Sequence, residues 1–258
     1  MSDSSNSLDI VIPVLNEEQT LENSVETLMS FCKNNIGAFD WVITVADNGS
    51  TDQTLQIAQS LSKKYLKVQY VCLEERGRGR ALKKAWTQSE SKILAYMDVD
   101  LSTDLNSLPD CLDAVNDSKA QIAVGSRLVP GSDVVGRSFK REFISRSYSL
   151  LFRMMFMVSF RDAQCGFKVV SKKVVEEVVP LVKNDNWFFD TELLILAEKN
   201  GYPILEIPVR WVDDPLSKVN IIKTALEDIK GLIRLRFRDV GRSRNILCLL
   251  YTSDADDE

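Results

Sequence analysis

The sequence predicts an α/β protein: a mixed, mostly parallel sheet flanked by helices and followed by a C-terminal helical extension. Two patterns predict it. Short β-branched runs alternate with helically spaced apolar residues through the first half of the chain, as βαβ units do. Acidic or amide residues also stand directly after several of these runs, at the strand ends where open α/β sheets bind ligands. Composition agrees. With 258 residues, 45% hydrophobic and 27% charged, and only 11 Gly and 7 Pro, the chain can bury a sizeable core and is neither disordered nor collagenous.

Residues 9–15 read as a buried strand ended by Asn16 and Glu17, and Leu21, Val25, Leu28, Met29 and Cys32 follow at helical spacing. Residues 41–46 are a second strand ended by Asp47, and 52–64 a second helix that a Ser, Thr or Asp of the preceding turn would cap. Strand three covers 68–73. The segment Glu74-Glu75-Arg76-Gly77-Arg78-Gly79-Arg80 then opens a helix reaching residue 90, and it reads either as a loop whose glycines let the backbone approach a phosphate or as a flexible charged loop. Residues 93–97 form a strand that drives into Asp98 and Asp100, and 122–124 form another before Gly125. The alternation then stops. Residues 139–160 are a long helical stretch mixing arginines with Leu, Met and Phe, and 167–170 resume a strand. Residues 191–200 form a helix that Asp190 is placed to cap, and 203–211 an extended run whose prolines suggest a sheet edge. Residues 221–238 close the fold helically. With no repeat and no linker, the expected division is one domain over 8–218, an amphipathic helical extension over 219–250 and an acidic tail over 251–258.

Composition also excludes chemistries. Histidine is absent, which removes every imidazole base, nucleophile partner and metal ligand. The five cysteines are widely spaced with no C-x-x-C pair, so neither a disulfide framework nor a zinc site is implied. Any metal must be held by oxygen, which suits Mg, Mn or Ca. A net charge of −5 argues against nucleic acid as a partner. The stretch 150–160 is broken by Arg153 and falls short of the roughly 18–20 residues that span a bilayer. The Ser-rich start lacks the basic and apolar regions of a secretory signal, so a cytoplasmic protein is expected.

Chance alone yields about two D-x-D triplets in a chain of this composition, and two are present. Asp254 and Asp256 lie in the acidic tail and read as solvated charge. Asp98 and Asp100 emerge from a core strand, where two carboxylates one residue apart can share a hard divalent cation or divide between metal and ribose.

Taken in order, Pro13-Val14-Leu15-Asn16-Glu17, the segment from Asp47 to Thr54, Asp98-Val99-Asp100 and Gly125-Ser126-Arg127 resemble the family-2 glycosyltransferases of GT-A fold. Asp162-Ala163-Gln164-Cys165-Gly166-Phe167-Lys168, Phe189-Asp190-Thr191-Glu192 and Glu206-Ile207-Pro208-Val209 resemble the branch of dolichyl- or polyprenyl-phosphate hexose synthases, and the resemblance runs over roughly 8–240. It implies an inverting, metal-dependent hexosyltransferase using a nucleotide-sugar donor, Mg2+ or Mn2+, and a polyprenyl or dolichyl phosphate acceptor. Pro13, Leu15, Glu17 and Asp47 would line the base and ribose pocket. Asp98 and Asp100 would serve diphosphate and metal, and Arg127 and Arg141 would face the acceptor phosphate. Asn48 departs from a second Asp common in relatives, and the late segment from Trp211 to Lys218 lacks a family glycine before Ser217. Ser102 replaces a Gln of the mannosyl-phosphate synthases, which favours UDP-glucose over GDP-mannose.

A lipid phosphate is already ionised and needs only orientation and a cationic clamp. A glycan hydroxyl, the alternative acceptor, would need a carboxylate base, for which Asp162 and Asp190 are the candidates. A sugar-1-phosphate nucleotidyltransferase would carry a Gly-rich signature near the first strand, which 13–18 lacks, and a non-catalytic binding module would not need Asp98, Asp100 and Arg127. From Arg137 to Arg161 six Lys or Arg face one acid, Glu142, and from Lys223 to Arg244 seven face three. Mixed with Phe, Leu, Ile and Met, these segments read as interfacial helices at the cytosolic membrane face. Met154, Met155, Phe156 and Met157 cannot all face one core stripe, so a membrane surface, self-association or a membrane-anchoring partner is expected to cover part of them.

Overall fold

The structure is a computed structural model that describes residues 6–213 and 221–237. β1 (Ser7–Val14) is a nearly unbroken apolar run with Leu8, Ile10, Val11 and Ile12 fully buried, as a strand covered on both faces requires. α1 (Leu21–Asn35) buries Leu21, Val25, Leu28 and Cys32 on one stripe. β2 (Asp40–Asp47) leads into α2 (Thr54–Lys64), whose first turn is held by Asp52 Oδ1 accepting from Thr54 N at 3.0 Å. β3 (Val68–Cys72), α3 (Arg78–Gln88) and the fully buried β4 (Ile93–Met97) follow as read. α4 (Leu108–Asn116), which the sequence reading passed over, starts with Pro109 in its first turn, where a missing N–H costs nothing.

β5 (Ile122–Ser126), the three-residue β6 (Asp133–Val135), α5 (Phe139–Phe156) and β7 (Phe167–Ser171) come next, then α6 (Lys172–Glu177) and α7 (Phe189–Lys199). The extended run at 203–211 is two strands rather than one. β8 (Ile204–Pro208) is indeed the main-sheet edge, beside β5, whereas β9 (Arg210–Val212) pairs with β6. The break is packing: Val209, 1% exposed, turns inward against Gly125, where an added Cβ would lie 2.9 Å from Val209 Cγ1. α8 (Ile221–Phe237) ends the described chain; the remainder of the expected extension, the 251–258 tail and Ser217 and Lys218 lie outside the described residues.

The seven-stranded sheet runs β3-β2-β1-β4-β7-β5-β8. β7 is antiparallel to both neighbours, and the other pairings are parallel. One apolar layer carries α1, α2 and α4, and the other α3, α5, α6, α7 and α8. Leu232 and Leu235 of α8 are fully buried in that second layer, and Gly231 lets the helix approach Phe188 so closely that a Cβ would meet its ring at 2.4 Å. Among the described residues no helix is long and apolar enough to cross a membrane.

α8 also buries Asp228, whose Oδ2 accepts from Gln164 Nε2 at 2.5 Å while Oδ1 has no partner. Burial, less the Gln164 hydrogen bond and reinforced by Asp190 and Glu227, pushes its pKa up to about 7. The folded protein therefore holds this proton more tightly than the unfolded chain, and stability falls as pH rises from about 4 to about 7. Asp228→Asn is expected to be more stable than wild type at pH 8 by about 2–4 kcal/mol, with the gap closing below pH 4, as read by urea unfolding across pH.

Candidate active site

The parallel strands β1, β2 and β4 present their carboxyl ends on one rim, and strand order reverses between β1 and β4, which opens a crevice there. Asp47, the last residue of β2, lies opposite Val14 and is 1% exposed. Its Oδ2 accepts from Ser50 N at 3.4 Å and from the Cys72 thiol at 3.8 Å, while Oδ1 has no partner. A buried carboxylate oxygen left open is rare and marks a place where a ligand N–H can bind. The segment 47–54 is both cap and scaffold. Asn16, at φ 55°, accepts from Thr51 N through its side chain at 2.8 Å, and Glu17 N donates to Thr54 Oγ1 at 2.8 Å, so the β1 loop carrying half-buried Pro13, Leu15 and Glu17 is laced to the β2 loop. Asn48 Oδ1 accepts from Gly77 N at 2.5 Å, a carbonyl role that the amide fills without a second carboxylate.

Asp98 and Asp100 sit past the end of β4 but in different surroundings. Asp98 Oδ1 accepts from Arg78 Nη2 at 2.7 Å, and its N–H donates to Gly166 O at 3.0 Å. Asp100 is exposed, with Oδ1 accepting from Ser102 N at 3.0 Å across Leu101, which is in the left-handed region. A Cβ on Gly166 would fall 1.9 Å from Asp98 Oδ2, so only glycine fits. Gly166→Ala is expected to expel the Asp98 carboxylate from its pairing with Arg78 and to cost about 1–3 kcal/mol in urea unfolding.

Arg78 is the group that sequence reasoning missed. It leaves the first turn of α3 to bridge Asp98 and Asp190, the latter at 2.6 Å, and lies 5.1 Å from the ring centres of both Tyr96 and Trp187. Lys168 Nζ, fully buried in β7, meets Asp190 Oδ1 at 2.9 Å, and the Tyr96 hydroxyl donates to the same carboxylate. Lysine inside an apolar strand was the available signal, since such a cation needs a buried carboxylate. Asp190 thus does not cap α7: the capping position is Phe188, with no side-chain bond. Burial raises its pKa, but Lys168 and Arg78 outweigh that and hold it below the usual carboxylate range, which disfavours it as a base. Packing requires the glycines of the 74–80 segment, for a Cβ on Gly79 would meet Phe189 Cβ at 2.6 Å and one on Gly77 the Asp185 carbonyl at 2.6 Å.

Across the sheet, Arg127 follows β5 and Asp162 precedes β7. Arg127 Nε and Nη2 donate to Asp162 at 2.8 and 2.9 Å, a bidentate pair, and Arg127 N adds a third bond at 3.0 Å. Burial alone would raise the Asp162 pKa, but Arg127 draws it down to about 2, so it too is placed as a partner rather than a base. Arg141, in the first turn of α5, pairs with Asp213. Arg137, absent from the sequence-based assignment, pairs with Glu142 at 3.0 Å. Trp211 gathers this group: its ring lies 5.4 Å from the Arg127 guanidinium and 5.9 Å from that of Arg137. Burial and the neighbouring Arg127 charge lower the pKa of Arg137, the signature of cations held together.

No cluster of three or more metal-ligating side chains occurs among the described residues. Asp100, exposed, and Asp98, half-buried, are the carboxylates at the end of β4 that could hold an ion whose remaining shell came from phosphates and water.

A doubly wound sheet with acids gathered where strand order reverses defines an α/β protein of the class that binds ligands at such a crevice. The family model described as Glycosyl transferase family 2 matches residues 9–179, and the chain belongs to that family. Glycosyltransferase AglD of Haloferax volcanii is 33% identical over 220 residues, covering 85% of this chain; the chain spans about a third, 35%, of that relative. Dolichyl-phosphate beta-glucosyltransferases of Dictyostelium discoideum (28% over 242 residues, 90% of this chain and 74% of that one) and Drosophila melanogaster (30% over 224, 82% and 69%) are also similar. Glucosyl-3-phosphoglycerate synthase from Mycobacterium tuberculosis, in complex with UDP, superposes with a TM-score of 0.65 at 17% identity, covering 90% of this chain and 80% of that one. The fold is GT-A.

Proposed function

We propose that this chain transfers glucose from UDP-glucose, with inversion, to a polyprenyl or dolichyl phosphate at the cytosolic face of a membrane. The observation that carries the reading is the disposition of charge: Arg127, Arg137 and Arg141 gather around Trp211 and β9, while the nearby carboxylates Asp162 and Asp190 are committed to ion pairs. A phosphate oxygen is ionised at neutral pH and needs cations to aim it; a hydroxyl would need a base that these two acids are poorly placed to be. Similarity to dolichyl-phosphate beta-glucosyltransferases supports the same acceptor and sugar.

In this reading Asp47 Oδ1 accepts from the base, and Pro13, Leu15 and Glu17 line the base and ribose pocket. Asp98, steadied by Arg78, meets the ribose and diphosphate side. Mg2+ or Mn2+ on Asp100, with Asp98 close by, would neutralise charge developing on the leaving diphosphate; related structures were solved with Mn2+ and UDP-glucose. Arg127 and Arg141, with Arg137 beside them, orient the acceptor phosphate. Exposed apolar residues of α5 (Phe139, Phe143, Met154), of its capping position Met157 and of α8 (Leu226, Ile229, Ile233, Phe237) support contact with a membrane surface.

The test is radiolabelled transfer from UDP-glucose and, separately, from GDP-mannose into organic-extractable polyprenyl phosphate with Mg2+ or Mn2+. The expected result is lipid-linked glucose from UDP-glucose alone. Product from GDP-mannose alone would reassign the donor, and donor binding with no lipid product would turn the acceptor to glycan hydroxyls.

A further inference from the structure

A second basic cleft borders the Trp211 group: Leu128, in its lining, follows Arg127, and Glu142 pairs with both Arg137 and Arg146. Arg146, Ser149, Leu150 and Arg153 fall on one face of α5 at i, i+3, i+4 and i+7, and with Leu128 and Arg161 they line a space of about 150 Å³. The chain returns to this face because Met157, capping α5 after Phe156, is in the left-handed conformation, after which Arg161 comes back beside the helix. Of the three arginines only Arg146 has an anionic partner, Glu142 at 2.5 Å, an exposed pair of small worth. Arg153 and Arg161 make no ion pair among the described residues, and Arg153 Nε is buried without a hydrogen-bond partner. A guanidinium donor withdrawn from water and left open is costly and is satisfied by a ligand oxygen. The rim beside it is apolar and outward-facing: Leu150 lines the cleft at 57% exposure, and Met154 and Met157 follow at 66% and 81%.

We propose that this cleft binds the phosphate of an anionic membrane phospholipid, with Arg153 and Arg161 as its main contacts and Leu150, Met154 and Met157 entering the acyl boundary. The proposal rests on the reading of this chain as a membrane-surface enzyme, but assigns a lipid site that is not the acceptor site. Fixed cations beside outward apolar side chains match an anionic headgroup joined to hydrocarbon, whereas a soluble anion would leave the apolar rim unused.

The experiment is vesicle co-sedimentation of the full chain with phosphatidylcholine alone or mixed with phosphatidylglycerol. Wild type is expected to prefer the mixed vesicles, and Arg153→Gln/Arg161→Gln to bind them at least about tenfold more weakly, while Arg153→Lys loses less. Lys63→Gln/Lys64→Gln on α2, the same charge change on the opposite face, is expected to bind as wild type does. The double Gln variant should also transfer sugar normally to a detergent-dispersed acceptor and melt as wild type does. Equal binding by that variant, an equal loss in the α2 variant, or no preference for mixed vesicles would overturn the proposal. So would competition by millimolar inorganic phosphate, which would assign the cleft to a free anion, and so would lost transfer in detergent, which would place these arginines at the acceptor. Vesicle binding needs neither donor nor turnover, so failure of the transferase reading and failure of this lipid site are read separately.

Discussion

Asp162→Ala is expected to lower the unfolding free energy by about 3–5 kcal/mol and to abolish transfer with it. Asp162 is 3% exposed and accepts three bonds from Arg127, together with Gln164 N at 3.2 Å. Without it the Arg127 guanidinium, 13% exposed, stays buried with no countercharge, and the turn into β7 loses an anchor. Urea unfolding at pH 7 reads the loss. The pH dependence of wild type gives an independent check. The folded pKa of Asp162 is depressed to about 2, so its stabilising contribution is complete above about 4 and is lost as pH falls toward 2. In Asp162→Ala that part of the acid limb should be absent, and a variant whose limb matched wild type would show the pair contributes little.

Asp100→Asn is expected to do the opposite: transfer falls by about 10²–10³-fold while unfolding is unchanged within about 0.5 kcal/mol. Asp100 is exposed and its Oδ1 accepts from Ser102 N, a bond that an asparagine carbonyl can keep. What the substitution removes is the negative charge on the rim, which the proposed mechanism uses only when diphosphate is leaving. Initial rates from UDP-glucose, with denaturant curves on the same preparations, separate the two effects. Full activity in Asp100→Asn would move the metal-holding role to another residue.

The paired variants also mark what the sequence made legible. Asp47, Asp98 and Asp100 could be placed on one rim because alternating apolar runs dictate parallel strands, and the strand ends follow from chain order alone. Arg78, Arg137 and Lys168 could not be placed so easily. Their partners Asp98, Glu142 and Asp190 are fixed by tertiary geometry, and in two of the three pairs the partner lies 20 or more residues away in sequence. The same limit explains Asp190, whose position just before a helical pattern suggests a cap until β7 and α3 bring two cations to it. Gly77 and Gly79 are ambiguous in sequence for a related reason: a glycine needed for close approach to Asp185 and Phe189 looks, one-dimensionally, like one needed for a phosphate.

β7 runs against the strands on either side, with Met97 opposite Phe167 and Ile122 opposite Val170. Its entry end therefore reaches the same rim as the exit ends of its neighbours. Chain polarity thus becomes a way of dividing labour. The rim where the donor is proposed to sit is built from segments leaving the sheet, while Asp162 and Gly166 arrive on a segment entering it. Ladders on both sides pin that arrival point, so the part of the connection before Asp162 can change length or sequence to suit a different acceptor, with Asp162 and Gly166 kept, without dragging Asp47 or Asp100 out of place. A fold arranged this way can diversify what receives the sugar while conserving what delivers it.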